Sequence, residues 1–425
     1  MNLPNRLLAV AAALPMAFAA HAADEPASVV EMYGTVFPVV DAAETKGATA
    51  PAPSSRPNQV PAAAYTGAND ARRTRITVGT TGWGFRGYES LGGDLKLVWQ
   101  LESGFQIDQN AGPGLGARDS KVGLRNRWGE LFLGQWDTPY KYISLPVNPL
   151  RGGYVFDRTA ITGNPGFGVG NTTTQFTRIG AKPDASFDRR QGNSVQYWSP
   201  NMGGLSFRLG YSVAEGTGAI VAGGPIVRPT VAAVSAQYDV GTLSLRYAYE
   251  EHKDYFGLSQ LGGSAAGSNA DSSKDRGHKA VVLWRMGNTR LTGMVEQLEY
   301  TNRLPSSNTN ILNGPVNEYK RTAWYGVVEQ FFANKSSVFL SYGKAARGSC
   351  SRYEGFACST AGLGANYLTT GYIYRFSKRT EVFAMYYRMV NQESAQYSPG
   401  PAVNAVSVAP GADTRAYGVG MIHFF

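Results

Sequence analysis

The chain has 425 residues, 43% of them hydrophobic and 17% charged, with 51 glycines, 24 tyrosines and a formal net charge of +9. Low charge and many aromatics exclude a coiled coil and a disordered chain, both of which are charge-rich and aromatic-poor. Two cysteines and four histidines are too few for a disulfide framework, a cysteine-based zinc module or a histidine-built metal centre.

In chain order, Met1–Arg6 is short and basic, Leu7–Ala20 is apolar, and Ala20-His21-Ala22 has the form of a signal cleavage site. Residues 1–22 are therefore expected to be a secretory signal and 23–425 one mature domain. After that run no stretch approaches 18 consecutive apolar residues, the length a membrane helix needs. What recurs is alternation with period two, the mark of strands whose successive side chains point to opposite faces. Over Leu95–Ile107, residues Leu95, Leu97, Trp99, Leu101, Phe105 and Ile107 share one face. Lys96, Val98, Gln100, Glu102 and Gln106 share the other. Val122 and Leu124 oppose Lys121, Gly123, Arg125 and Arg127. Leu205–Val213 and Leu243–Glu250 repeat the pattern, with Arg208 and Arg246 on their polar faces.

Tight turns of Gly, Asn, Asp or Pro fall at Leu91–Asp94, Arg127–Glu130, Ser199–Gly204, Asp239–Gly241, Met286–Asn288, Ala333–Lys335 and Ser377–Arg379. Long polar loops fall at Asp41–Arg72, Asp108–Arg118, Thr138–Asp188, Glu215–Pro229, Lys253–Lys274, Asn302–Glu318, Ala346–Gly362 and Asn391–Asp413. The two kinds alternate and join sixteen strands. A soluble β-sandwich shows similar alternation, but its strands average about five or six residues and open twisted sheets rarely reach this many strands. Strict short–long alternation is the connection pattern of an outer-membrane barrel. The expected fold is all-β: a 16-stranded antiparallel transmembrane β-barrel with short periplasmic turns and long extracellular loops. Arg415–Phe425 ends the chain with Tyr417, Val419, Met421, His423 and Phe425 on one face. It resembles the terminal strand signature of outer-membrane barrels, in which His423 serves as an interfacial, aromatic-like residue.

A family resemblance rests on Trp83-Gly84-Phe85-Arg86-Gly87-Tyr88-Glu89-Ser90-Leu91-Gly92-Gly93-Asp94-Leu95-Lys96 running into Gln100–Phe105. Tyr33-Gly34, Val122-Gly123-Leu124, Leu131–Gln135, Asn193–Tyr197 with Ser199-Pro200-Asn201, and Gly420–Phe425 add to it. With these residues the chain resembles the general, non-specific trimeric porins of Gram-negative bacteria, in their β-proteobacterial form. The resemblance implies a homotrimer among outer-membrane lipid and lipopolysaccharide that passes small hydrophilic solutes and ions by passive diffusion. It also implies that the third loop, residues 138–188, folds into the barrel and narrows the pore. The family usually has arginine where this chain has Gly82 and Gln135. Its acidic Pro-Glu-Phe-Gly motif is Asn164-Pro165-Gly166-Phe167-Gly168 here, without the glutamate.

Strand parity puts Arg86, Lys96, Lys121, Arg125, Arg127, Arg208 and Arg246 on the lumen face. The third loop and its return add Asp157, Arg158, Asp184, Asp188, Arg189 and Arg190 as constriction candidates. This excess of cations predicts a weak anion preference. Cys350 and Cys358 are expected to pair in the seventh long loop, because an exported protein meets oxidising conditions. No Gly-x-Ser-x-Gly elbow or phosphate loop occurs, and neither His252 nor His278 has an evident nucleophile beside it. No enzyme, cofactor, metal or nucleic-acid function is therefore expected. A substrate-specific channel, a barrel enzyme and a plugged adhesin are the competing classes.

Overall fold

The computed structural model describes residues 27–50, 63–64, 69–108, 116, 118–151, 157–166, 186–213, 218–219, 226–227, 229–253, 273–302, 316–333, 335–352, 355, 357–399 and 408–425. The expected signal, residues 1–22, and Asp184 lie outside them. Among the described residues no helix is long and apolar enough to cross a membrane. The chain instead forms one closed antiparallel sheet.

Its first strand, β1, is Ser28–Val36 continued as Pro38–Lys46, and β2 is Arg73–Val78 continued as Gly82–Gly92. Then follow β3 (Leu95–Gly104), β4 (Ser120–Asn126), β5 (Gly129–Asp137), β6 (Arg190–Trp198), β7 (Leu205–Val213) and β8 (Thr230–Val240). Next come β9 (Leu243–Lys253), β10 (Ser273–Met286), β11 (Thr289–Asn302) and β12 (Val316–Phe332). The last four are β13 (Ser336–Ala345 continued as Ser349–Arg352), β14 (Ala365–Arg375), β15 (Thr380–Asn391) and β16 (Asp413–Phe424). Each strand pairs with the next, and β16 returns to β1 in a register from Val39–Gly420 to Lys46–Asp413. Below that ladder the Gly34 and Phe425 amides each donate to the other's carbonyl, at 3.2 and 3.1 Å. The Phe425 ring lies 2.3 Å from where a Cβ on Gly34 would stand, so a side chain there would have to displace that ring. Closure leaves no unpaired edge, the condition that hydrocarbon imposes on a spanning sheet.

The structure corrects several strand ends. Asp41–Lys46 and Ser349–Arg352, read as loop from sequence, continue β1 and β13. They carry small and polar side chains without a clean alternation, while the backbone ladder runs on regardless. Phe105 and Ile107 lie beyond β3, and Arg127 sits in the turn after β4 rather than on its lumen face. The apolar parity faces outward. Val122, Leu124, Leu131 and Leu133 are all exposed on adjacent strands in one belt. Tyr417, Val419, Met421 and Phe425 continue that outward face on the last strand. His423 Nδ1 is 2.9 Å from Thr380 Oγ1 on β15. Cys350 and Cys358 are disulfide-bonded, with Cα atoms 5.7 Å apart.

Inside the barrel, Tyr140, Ile143, Val147, Leu150, Ile161 and Phe187 of the third loop join one apolar cluster. Their partners include Met294, Leu298, Tyr300, Tyr325 and Tyr367 of the wall.

Candidate functional site

The third loop leaves β5 through Thr138, whose Oγ1 accepts the Lys141 amide at 3.3 Å and caps the short helix α1 (Pro139–Tyr142). Proline in the first turn suits this start, because its missing N–H has no helical partner there anyway. Glycines in the wall make room for the loop. A Cβ on Gly210 would come within 2.9 Å of Pro139, and one on Gly277 within 2.7 Å of Phe187. Two 3-10 turns follow, Leu145–Val147 and Arg158–Ala160, the second capped by Asp157 Oδ1 accepting from the Thr159 amide at 3.0 Å.

A buried ionic lattice fastens the loop to β10, β11 and β12. Glu296 accepts from Tyr140 Oη at 2.9 Å, the Gly163 amide at 2.7 Å and Arg321 Nη2 at 3.2 Å. Lys279 Nζ lies 3.1 Å from Asp188 and 3.6 Å from Glu296. Arg158 reaches Asp157 at 3.1 Å and Asp188 at 3.3 Å. Burial opposes charge on Asp188, but Lys279, Arg158 and Lys141 outweigh it and hold its carboxyl below the ordinary carboxylate range. Nearer the periplasmic turns, Glu329 pairs with Arg290 and Arg375, and Glu381 with Arg151 of the loop. Buried charges persist only when paired and hydrogen-bonded, and here the pairing holds one irregular segment to one side of the lumen.

The strands from β1 to β9 carry the cations read from strand parity, and most have a carboxylate beside them. Arg86 meets Glu31 at 2.8 Å and lies over the Tyr33 ring. Arg125 meets Glu130 at 2.6 Å. Lys121 touches the same carboxylate and sits among the Phe132, Trp136 and Trp198 rings. Lys96 lies over Tyr88. Arg190 bridges Asp119 and Asp137. Arg208 and Arg246 have rings, a hydroxyl and a carbonyl as neighbours instead, with no carboxylate in ion-pair contact among the described residues.

Several candidates are not where strand parity and loop membership placed them. Arg158, Asp188, Arg189 and Arg190 are buried rather than facing open channel: Arg158 and Asp188 fasten the loop, while Arg190 bridges Asp119 and Asp137 on the wall. Arg189 donates to Gln191 Oε1 at 3.0 Å, and Asp157 serves as a cap. Arg127 lies over Trp128 in its turn. The sequence reading missed Lys279, Glu296, Arg321 and Glu329 altogether. Their signal was inward parity on β10–β12, obscured because apolar residues share that face. The structure also shows what stands at the two departures from the family pattern. Arg118 Cδ lies 3.5 Å from where a Cβ on Gly82 would be, and the Gln135 amide donates to the Arg118 carbonyl at 3.1 Å. One arginine from the loop before β4 thus occupies the space beside both positions, its guanidinium on Glu102.

A closed sixteen-stranded barrel with one long loop clamped inside defines a narrowed transmembrane channel. The profile of the Gram-negative porins matches residues 8–394, and the chain belongs to that family, whose place is the outer membrane. An outer membrane porin of Bordetella pertussis is 34% identical over 139 residues, covering 31% of this chain and 30% of that protein. The major outer membrane protein P.IB of Neisseria gonorrhoeae is 39% identical over 70 residues, 16% of this chain and 20% of that one. The chain thus spans 30% or less of the length of these relatives in the matched stretches. Among solved structures, the anion-selective porin from Comamonas acidovorans superposes with a TM-score of 0.64 at 20% identity, over 94% of this chain and all of that one. OmpT of Vibrio cholerae gives 0.57 at 13% identity, over 95% and 99%. At these identities the likeness concerns the fold.

Proposed function

We propose that the mature chain, residues 23–425 after loss of a signal at 1–22, is a homotrimeric outer-membrane porin. It forms a water-filled channel for passive diffusion of small hydrophilic solutes and ions, with a weak preference for anions. The observation that carries this reading is the third loop, clamped by the Glu296–Lys279–Asp188 lattice to one side of the lumen and facing a wall lined with arginine and lysine. A basic wall in a low-dielectric pore focuses its field on passing anions. The Comamonas acidovorans structure of similar fold is titled an anion-selective porin, which supports the sign. Screening over about 10 Å at 0.1 M salt keeps the preference modest.

Planar-bilayer recording tests this directly. Large, ohmic, non-saturating steps are expected, with a zero-current potential of anion-selective sign across a KCl gradient. Conductance that saturates with salt would replace this reading by a substrate-specific channel, and a cation-selective sign would remove the anion preference. Unheated detergent samples should migrate as trimers. Migration at monomer mass would refute the assembly.

A further inference from the structure

Arg208 on β7 and Arg246 on β9 face the lumen on either side of β8. Their neighbours Leu209, Leu245 and Tyr247 are exposed on the outer belt, which fixes the two arginines inward. The Arg208 guanidinium carbon lies 3.8 Å from the centre of the Tyr142 ring and 4.8 Å from that of Trp198. Those two rings are themselves 5.2 Å apart. Arg208 Nε is buried and has no hydrogen-bond partner among the described residues. Arg246 donates to Ser244 Oγ at 3.0 Å and to the Ile143 carbonyl of the third loop at 3.2 Å. Asp239 on the intervening β8 accepts from Gln237 at 2.6 Å and makes no ion-pair contact with either arginine among the described residues.

We propose that Arg208 and Arg246 form a binding station for the carboxylate of a small permeating solute. The assignment rests on the channel reading above and names the group that would pause there. A guanidinium presents its donors in a planar fork that matches a carboxylate edge-on. Stacking on Tyr142 and Trp198 fixes the plane of Arg208 in advance, so little side-chain freedom is lost when a ligand arrives. Elsewhere on the wall, Arg86, Lys121, Arg125 and Arg190 already touch protein carboxylates. Among the described residues Arg208 meets no carboxylate, and Arg246, with Nε on Ser244 and Nη1 on the Ile143 carbonyl, keeps Nη2 for another acceptor. The rings around Arg208 also offer apolar surface to a flat solute body, so aromatic carboxylates fit best.

The test is benzoate added to trimers conducting KCl in planar bilayers. Benzoate should lower the wild-type conductance saturably. Arg208→Gln and Arg246→Gln should each raise the half-blocking concentration about tenfold or more, the scale of one charge-assisted hydrogen bond. Arg208→Lys keeps the charge and loses the fork, so it should retain the sign of selectivity while weakening the block. Lys335→Gln in a periplasmic turn serves as the control and should leave the block unchanged. If Arg208→Gln fails to assemble, the Arg208→Lys and Arg246→Gln arms decide. An unchanged block in both arginine arms overturns the station, as does equal block by inorganic phosphate, which would make the site indifferent to the planar carboxylate. Either result leaves ohmic, anion-selective conductance intact. Absence of conductance in the wild type would instead overturn the channel reading itself.

Discussion

Along β10–β12 an inward arginine or lysine meets a buried carboxylate beneath the third loop, whereas along β7–β9 Arg208 and Arg246 meet rings, a hydroxyl and a backbone carbonyl. Both regions belong to one barrel wall and use the same residue types. The third loop touches both, and the difference lies in whether it brings a carboxylate: Asp188 meets Lys279, whereas Tyr142 and Ile143 meet Arg208 and Arg246. Lys279, Glu296 and Arg321 are sealed by Tyr140, Phe187 and Gly163 and act as structural fasteners. Buried charges that lose a partner are expensive, while partly exposed ones keep some contact with solvent. An inward charge therefore becomes a fastener or a channel group according to whether a carboxylate is buried with it beneath the loop, not according to its own strand.

The hardest blow to that contrast is removal of Glu296. Glu296→Ala leaves Lys279 and Arg321 buried with one carboxylate fewer, a loss of about 3–5 kcal/mol. The loop should detach, raising single-channel conductance and its noise and lowering the temperature at which trimers dissociate in detergent. Unchanged conductance would mean that the apolar cluster alone holds the loop.

Acid offers a gentler release. Asp188 titrates below its ordinary 3.8 in the folded protein, so its anchoring is complete above that value and is lost only as pH falls through the lower, native one. Conductance should be flat from pH 7 to pH 5, approximate bounds set by the carboxylate range, and change only in stronger acid. A change of conductance between those bounds would show that Asp188 is not what holds the loop.

Selectivity should separate paired from unpaired cations on the open wall. Arg208→Gln should shift the zero-current potential toward zero more than Arg125→Gln does, because Arg125 is neutralised by Glu130 at 2.6 Å. Equal shifts would show that pairing does not matter in this field. The smallest effect belongs to the disulfide. Reduction of Cys350–Cys358 should cost about 2–3 kcal/mol locally in the chain-entropy model. It should speed trypsin cleavage at Arg352 and leave conductance as it was.

How much of this was legible in the sequence follows the same division. Leu95–Gln100, Leu205–Val213 and Leu243–Glu250 alternate cleanly because one face meets lipid and the other a partly open lumen. On β11, by contrast, Arg290, Thr292, Met294, Glu296, Leu298 and Tyr300 share the inner face. Polar and apolar residues mix there because the loop supplies both a hydrophobic surface and ionic partners. Period-two reading has no access to a partner that arrives from another part of the chain. For the same reason Arg158 and Asp188 looked like pore charges: their sign was visible and their burial was not. Arg118 was hidden differently, since it lies outside any strand and stands beside Gly82 only in three dimensions.

The seam between β1 and β16 has a bearing on how the molecule comes to exist at all. Glu44 and Arg415, in contact across it, are 371 residues apart in the chain. Joining ends that distant costs about 5 kcal/mol of loop-closure entropy, which no local contact offsets along the way. High contact order of this kind makes assembly slow. Until the seam forms, the curved sheet has two free edges, each able to pair with a wrong chain. In hydrocarbon those edges would also carry unsatisfied amides, so closure and entry into the bilayer are coupled events. Gly34 and the Phe425 ring stand at that last step, and a side chain forced between them would act on the rate of assembly long before it altered the finished channel.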